Sequence, residues 1–242
     1  MPRKTFPLII SALLVLYFDM TAGRVLASTH QPQLKTFAPT GAQYTLSVPE
    51  SLSAAAPVPL IVALHFGGYA PPHYGRIIMQ QLVAPALSDL GAVVVAPDCA
   101  QGAWQNQSCE DTVLGLIDHL KQTWPIDNDR VVLTGYSMGG IGTWALSSRH
   151  PGLFSAAIVM AAKPPEHLGD IEWTLPLYVI HARDDELMPL ADTESVVEGI
   201  RASGGEVTFK ILDGVSHFQT DRFVEPLRAA TPWLRTVWGR QR

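Results

Sequence analysis

The chain has 242 residues, 47% of them hydrophobic, with 17 Lys and Arg against 22 Asp and Glu and a net charge of −5. That length and apolar content support one sizeable core and a single domain. The acidic balance excludes a nucleic-acid partner, which needs a basic face able to neutralise several phosphates.

Arg3 and Lys4 precede an apolar stretch from Phe6 to Phe18, followed by small residues up to Val25-Leu26-Ala27. This order is that of a secretory signal peptide over residues 1–27, cut after Ala27, with residues 28–242 as a single domain. The rival reading is a membrane anchor, which needs about 20 apolar residues. The stretch is shorter and Asp19 interrupts its end, so the mature chain is expected to have no stable membrane span. Cleavage removes Arg3, Lys4, Arg24 and Asp19, taking the 17 basic and 22 acidic residues to 14 and 21, a net −7.

His30 to Pro39 is a polar, proline-containing segment, Gln43 to Val48 alternates like an edge strand, and Ser51 to Pro59 is a loop. Strand-like Leu60 to His65 runs into Phe66-Gly67-Gly68, then helix-like Arg76 to Leu90 and strand-like Ala92 to Pro97. Tyr69 to Tyr74 and Trp104 suit the wall of a substrate pocket, and ordinary packing accounts for either equally well. Cys99 and Cys109 lie ten positions apart in one loop region. In an exported chain they are expected to bond, although spacing alone also permits two free thiols. No neighbouring Cys or His completes a ligand set, so no metal is expected.

Helix-like Glu110 to Trp124 leads to a turn at Asp127-Asn128-Asp129 and strand-like Arg130 to Ser137, whose β-branched run from Arg130 to Thr134 is too short for a helix. Helical spacing resumes over Met138 to His150, and His150-Pro151-Gly152 stops it. Gly135-Tyr136-Ser137-Met138-Gly139 thus joins a strand directly to a helix. It has the form of a nucleophile elbow, in which a serine sits in a strained backbone at the apex of a tight turn. The alternative is a glycine-rich turn whose serine merely caps the helix.

Strands follow at Phe154 to Ala162, Leu177 to Ala182 and Val207 to Leu212, with helices at Leu190 to Ser203 and Arg222 to Trp238. Lys163 to Pro176 is long enough for a small flap but not for a large cap domain. Apolar runs alternating with helical segments predict an α/β fold, a mostly parallel central sheet with helices on both faces. Ligands in such sheets bind beyond the carboxyl ends of the strands.

A serine hydroxyl needs an imidazole to take its proton, and the imidazole needs a carboxylate to fix its tautomer. His217, in the loop after the last strand, is the candidate base. His30, His119, His150 and His167 read as solvated or structural. Strand Leu177 to Ala182 ends in Arg183-Asp184-Asp185-Glu186, and position alone does not separate Asp184 from Asp185.

The order Ser137, Asp184 or Asp185, His217 is similar to that of the α/β-hydrolase superfamily, through most of the mature chain. Ile126-Asp127 through Phe154 resembles small secreted esterases of the predicted-peptidase, polyhydroxyalkanoate-depolymerase-like and phospholipase/carboxylesterase-like groups. In these the acid follows its strand as H-G-x-x-D-x-x-V-P. His181 and Pro189 bracket Asp185 in that pattern, which favours Asp185, keeps Asp184 in reserve and makes His181 structural. The relatives' H-G-x-G loop supplies an oxyanion N–H. Here Leu64-His65-Phe66-Gly67-Gly68 replaces its first glycine, leaving the donor open between Phe66 and Gly67, with Met138 as the second.

The resemblance, with the leader, implies a secreted or periplasmic, cofactor-free serine hydrolase acting on small or polymer-linked carboxylic esters through an acyl-enzyme. Two alternatives stand beside it, a peptidase or amidase on the same fold and a binding protein that has lost catalysis. Nothing in the sequence fixes the oligomeric state.

Overall fold

Valine, isoleucine, leucine and alanine dominate several short segments that are buried along nearly their whole length, as strands covered on both faces must be. The structure, a computed structural model, describes residues 32–50, 52–68, 70–100, 102–165 and 173–240. Its strands are β1 (Gln33–Phe37), β2 (Ala42–Ser47), β3 (Val58–Leu64), β4 (Val93–Pro97), β5 (Ile126–Tyr136), β6 (Ala156–Met160), β7 (Leu177–Ala182) and β8 (Val207–Leu212). They form one sheet in the order β1-β2-β4-β3-β5-β6-β7-β8. β2 pairs antiparallel with β1 and β4, and all other pairings are parallel.

The chain steps from β3 outward to β4, then returns to lay β5 on the other side of β3. That reversal opens a crevice beyond the carboxyl ends of β3 and β5, where sheets of this kind bind ligands. Helices α1 (Gly75–Ile78), α2 (Ala84–Leu87), α6 (Val224–Arg228) and α7 (Ala230–Arg240) cover one face, around Ile78, Leu82, Phe223, Leu227 and Leu234. On the other face α3 (Gln107–Thr123), α4 (Met138–Arg149) and α5 (Leu190–Ala202) pack through Val113, Leu116, Trp144, Leu146, Val197 and Ile200. The fold is that of an α/β-hydrolase.

Four segments differ from expectation. The polar stretch before residue 40 contains β1, whose pairing makes β2 an interior strand; the flanking prolines mask a strand whose inward anchor is Phe37, buried in the core. β5 begins upstream of the predicted turn, because Asp127–Asp129 is accommodated as a register shift opposite Val58 to Leu60. There Asp127 accepts the Asp129 N–H at 3.0 Å and pairs with Arg130 at 2.6 Å. Arg76 to Leu90 is not one regular helix. A π-helical turn at Met79–Val83 joins α1 to α2 ahead of Pro85, whose ring displaces the carbonyl four residues back. Arg222 to Trp238 is likewise split between α6 and α7, since Pro232 gives the Arg228 carbonyl no N–H.

Cys99 and Cys109 are bonded, with Cα atoms 5.4 Å apart. The predicted signal peptide, residues 1–27, lies outside the described residues, as do Tyr69 and residues 166–172 of the predicted flap. Among the described residues no helix is long and apolar enough to cross a membrane.

Candidate active site

Ser137 follows β5 directly and holds φ 55°, ψ −119°, a conformation a non-glycine residue adopts only where its surroundings impose it. Its N–H donates to the Met160 carbonyl at 2.9 Å. A Cβ on Gly135 would overlap the carbonyl of Gly139, one on Gly139 would overlap that of Leu64, and one on Gly140 would meet Ala162. The glycines therefore let α4 start against the ends of β3 and β6. As the first residue of α4, Met138 has an N–H with no acceptor inside the helix.

His217 lies in the loop after β8, and its Nε2 is 2.8 Å from Ser137 Oγ. Its Nδ1 lies 2.9 and 2.8 Å from the two carboxylate oxygens of Asp185. Both His217 and Asp185 are buried. Asp185 Oδ1 also accepts the N–H groups of Leu187 and Met188, at 3.0 and 2.7 Å. Asp184 points to solvent instead. The structure thus brings Ser137, His217 and Asp185 into one hydrogen-bonded chain and leaves the reserve acid outside it. A hydroxyl bonded to an imidazole that is oriented by a buried carboxylate can be deprotonated as it attacks an electrophile.

His181 is fully buried beside Asp185, and its Nε2 donates to the Met188 carbonyl at 2.7 Å. Burial pushes its pKa below the ordinary histidine value. It braces the turn that carries the acid.

The loop after β3 faces the elbow. A Cβ placed on Gly67 would stand 3.7 Å from that of Met138, so the two backbones oppose each other across the crevice. Beneath the loop, buried His65 bonds the Phe66 carbonyl through Nδ1 at 2.8 Å and accepts the Cys99 N–H at Nε2 at 3.1 Å. Desolvation lowers its pKa too, consistent with an imidazole that must stay neutral to accept. Trp104, expected as a candidate pocket wall, is fully buried, donates Nε1–H to the His65 carbonyl at 2.9 Å and fits against the bare Cα of Gly142. Lying within the disulfide-closed segment and packed against α4, its indole supports the loop through the His65 carbonyl.

Two residues that the sequence did not single out also touch this site. Glu186 accepts the Ser216 hydroxyl at 2.5 Å and the His217 N–H at 2.9 Å. Tyr136 donates its hydroxyl to the His217 carbonyl at 2.6 Å. A carboxylate after the acid and a tyrosine before the serine are visible in the sequence, but the loop they reach is not. Around the mouth, Phe218 and Leu187 are 70% and 52% exposed, and the Phe218 ring sits edge-on to His217. Among the described residues no group of His, Cys, Asp and Glu is arranged to hold a metal ion.

A model of the dienelactone hydrolase family matches residues 83–236, which carry the elbow, both candidate acids and His217. The chain belongs to that family. This dienelactone hydrolase family member is 28% identical over 148 residues to a bifunctional acetylxylan esterase/xylanase of Neocallimastix patriciarum, covering 59% of this chain and 22% of that one. It is 25% identical over 157 residues to a probable feruloyl esterase C of Aspergillus terreus, covering 62% and 57%. The match therefore spans less than two thirds of either named relative. In the solved structure of a thermostable esterase, at 24% identity, the similarity covers 88% of this chain and 60% of that one with a TM-score of 0.64. That likeness is one of fold.

Proposed function

We propose that this dienelactone hydrolase family protein is an exported serine hydrolase that cleaves carboxylic esters through an acyl-enzyme. The observation that carries the reading is the unbroken chain Ser137, His217, Asp185. Ser137 Oγ attacks the ester carbonyl while its proton passes to His217 Nε2, and Asp185 holds Nδ1–H and stabilises the imidazolium. The oxyanion takes hydrogen bonds from the Met138 N–H and from that of Phe66 or Gly67, each such donor typically worth about 3 kcal/mol. Collapse expels the alcohol with the proton from His217. Water, deprotonated by His217, then attacks the acyl-enzyme, releasing the acid and restoring Ser137.

The relatives named as feruloyl and acetylxylan esterases support feruloyl and acetylxylan esters as the first substrates to screen. Export is supported by the basic, apolar, small-residue order of residues 1–27 and by the disulfide, a bond that persists in oxidising compartments. N-terminal sequencing of the secreted protein is expected to begin at Ser28.

Labelling with a fluorophosphonate, lost in Ser137→Ala, tests the nucleophile; a wild-type protein that fails to label would point to a non-catalytic binding protein. Parallel assays on p-nitrophenyl esters and peptide anilides test the bond, and a preference for anilides would make the protein a peptidase or amidase.

A further inference from the structure

We propose that Glu186 and Tyr136 are positioning residues of the reaction, gripping the two ends of the His217 backbone, with Glu186 adding a second negative charge beside the imidazole. This rests on the hydrolase reading above.

Asp185 fixes one nitrogen of the His217 ring, but a ring held at one atom can still swing if its backbone moves. The backbone here is held on both sides. Its N–H donates to Glu186 Oε2 at 2.9 Å, and its carbonyl accepts the Tyr136 hydroxyl at 2.6 Å. Glu186 immediately follows the acid and Tyr136 immediately precedes the serine. The segments that supply the two partners of the imidazole therefore also locate its main chain, so that displacement of one partner carries the histidine with it.

The Glu186 carboxylate spans two donors of a single loop, since Oε1 takes the Ser216 hydroxyl at 2.5 Å. The loop also closes on itself, with Ser216 N–H on the Gln219 side chain and Gln219 N–H on the Ser216 carbonyl. Glu186 thus adds two hydrogen bonds to those that Asp185 makes between the same loop and the acid turn. Misplacement of a catalytic group by about 1 Å can cost on the order of 100-fold in rate.

The charge matters separately. The Ser216 and His217 donors hold the Glu186 carboxyl below the usual carboxylate range, so it stays ionised at neutral pH. The titratable groups around His217 are Asp185, Glu186 and His181 on the acid side and Tyr136 from β5, with Asp221 close to that tyrosine. Burial and the neighbouring carboxylates push the Tyr136 hydroxyl far above its ordinary value, so it is a neutral donor at any assay pH. Glu186 alters both position and charge; Tyr136 alters position alone.

Steady-state hydrolysis of p-nitrophenyl acetate across pH separates these effects, in a wild type first shown to label and turn over. Glu186→Ala should lower kcat about tenfold with KM within about twofold. Glu186→Gln should shift the acid limb of kcat/KM to lower pH, because loss of a nearby negative charge disfavours the imidazolium. Tyr136→Phe should lower kcat and leave that limb in place. An unchanged kcat in Glu186→Ala or Tyr136→Phe, or an unmoved acid limb in Glu186→Gln, overturns the proposal. A wild type that neither labels nor hydrolyses esters overturns the hydrolase reading instead.

Discussion

The carbonyl of Leu64 occupies the space that a side chain on Gly139 would need. The end of β3 and the first turn of α4 are thereby in backbone contact, and the loop after β3 is carried in fixed relation to Met138. Gly139→Ala must push these elements apart. Overpacking of this kind costs about 1–3 kcal/mol, which lowers Tm by roughly 2–12 °C in a domain of this size. Fluorophosphonate labelling should slow as well, since the same displacement separates Met138 from Gly67. Thermal melts and labelling time courses check both.

Asp185 and Asp184 are chain neighbours in opposite environments, one buried against His217 and the other in solvent. Asp185→Ala is expected to reduce kcat/KM by roughly 10³- to 10⁴-fold, as loss of the orienting carboxylate does in serine hydrolases. Asp184→Ala should stay within about twofold, the ordinary effect of a surface change. Equal losses in the two variants would remove Asp185 from its assigned role.

That pair shows where sequence reading stops. β3, β6 and β7 are legible because uninterrupted apolar runs leave little choice but buried strands, and Ser137 is legible because glycines at 135 and 139 bracket it. Which aspartate turns inward depends on the path of the turn after β7, so only the resemblance favoured Asp185. Glu186 was passed over because its partners, Ser216 and His217, lie 30 and 31 positions away. Trp104 leaves pocket wall and packing equally open in the sequence, and the glycine notch at 142 is what shows it packing inward. β1 was hidden by its flanking prolines and a single buried anchor.

His65 and His181 both have folded-state pKa values below the ordinary 6.5, chiefly because burial disfavours their charged forms. The unfolded chain then binds protons that the native state refuses. Stability should therefore fall as pH drops below about 6.5 and go on falling until the lowered folded values are reached. Tm measured between about pH 7.5 and 5.5 tests this. His181→Asn should give a shallower slope over that interval than the wild type, and an equal slope would count against the assignment.

The Cys99–Cys109 bond closes a ten-residue separation, and the Cys99 N–H holds His65 beneath the loop after β3. Loop-closure entropy alone makes such a bridge worth ~3 kcal/mol. Cys99→Ser with Cys109→Ser, or reduction by dithiothreitol, should lower Tm by roughly 6–12 °C. Activity should fall along with it at temperatures well below the melt, since His65 loses its fixed donor. If activity is retained while Tm drops, the bridge stabilises the fold without bracing the loop.

Phe218 is 70% exposed yet touches the His217 ring, and Leu187, whose N–H caps Asp185, is 52% exposed on the neighbouring loop. Glu186 ties these two loops together through Ser216 and His217. Large side chains left in water beside a reactive centre give an aromatic or long aliphatic portion of a substrate apolar surface to cover, at about 25 cal/mol per Å² removed from water. Phe218→Ser removes much of that surface without opening a cavity, so Tm should change by no more than about 2 °C. The ratio of kcat/KM for p-nitrophenyl octanoate to that for the acetate should fall about three- to tenfold, mainly through KM, because binding remote from the reacting atoms acts on ground and transition states alike. An unchanged ratio would mean that the acyl chain leaves the site by a path that does not cross Phe218.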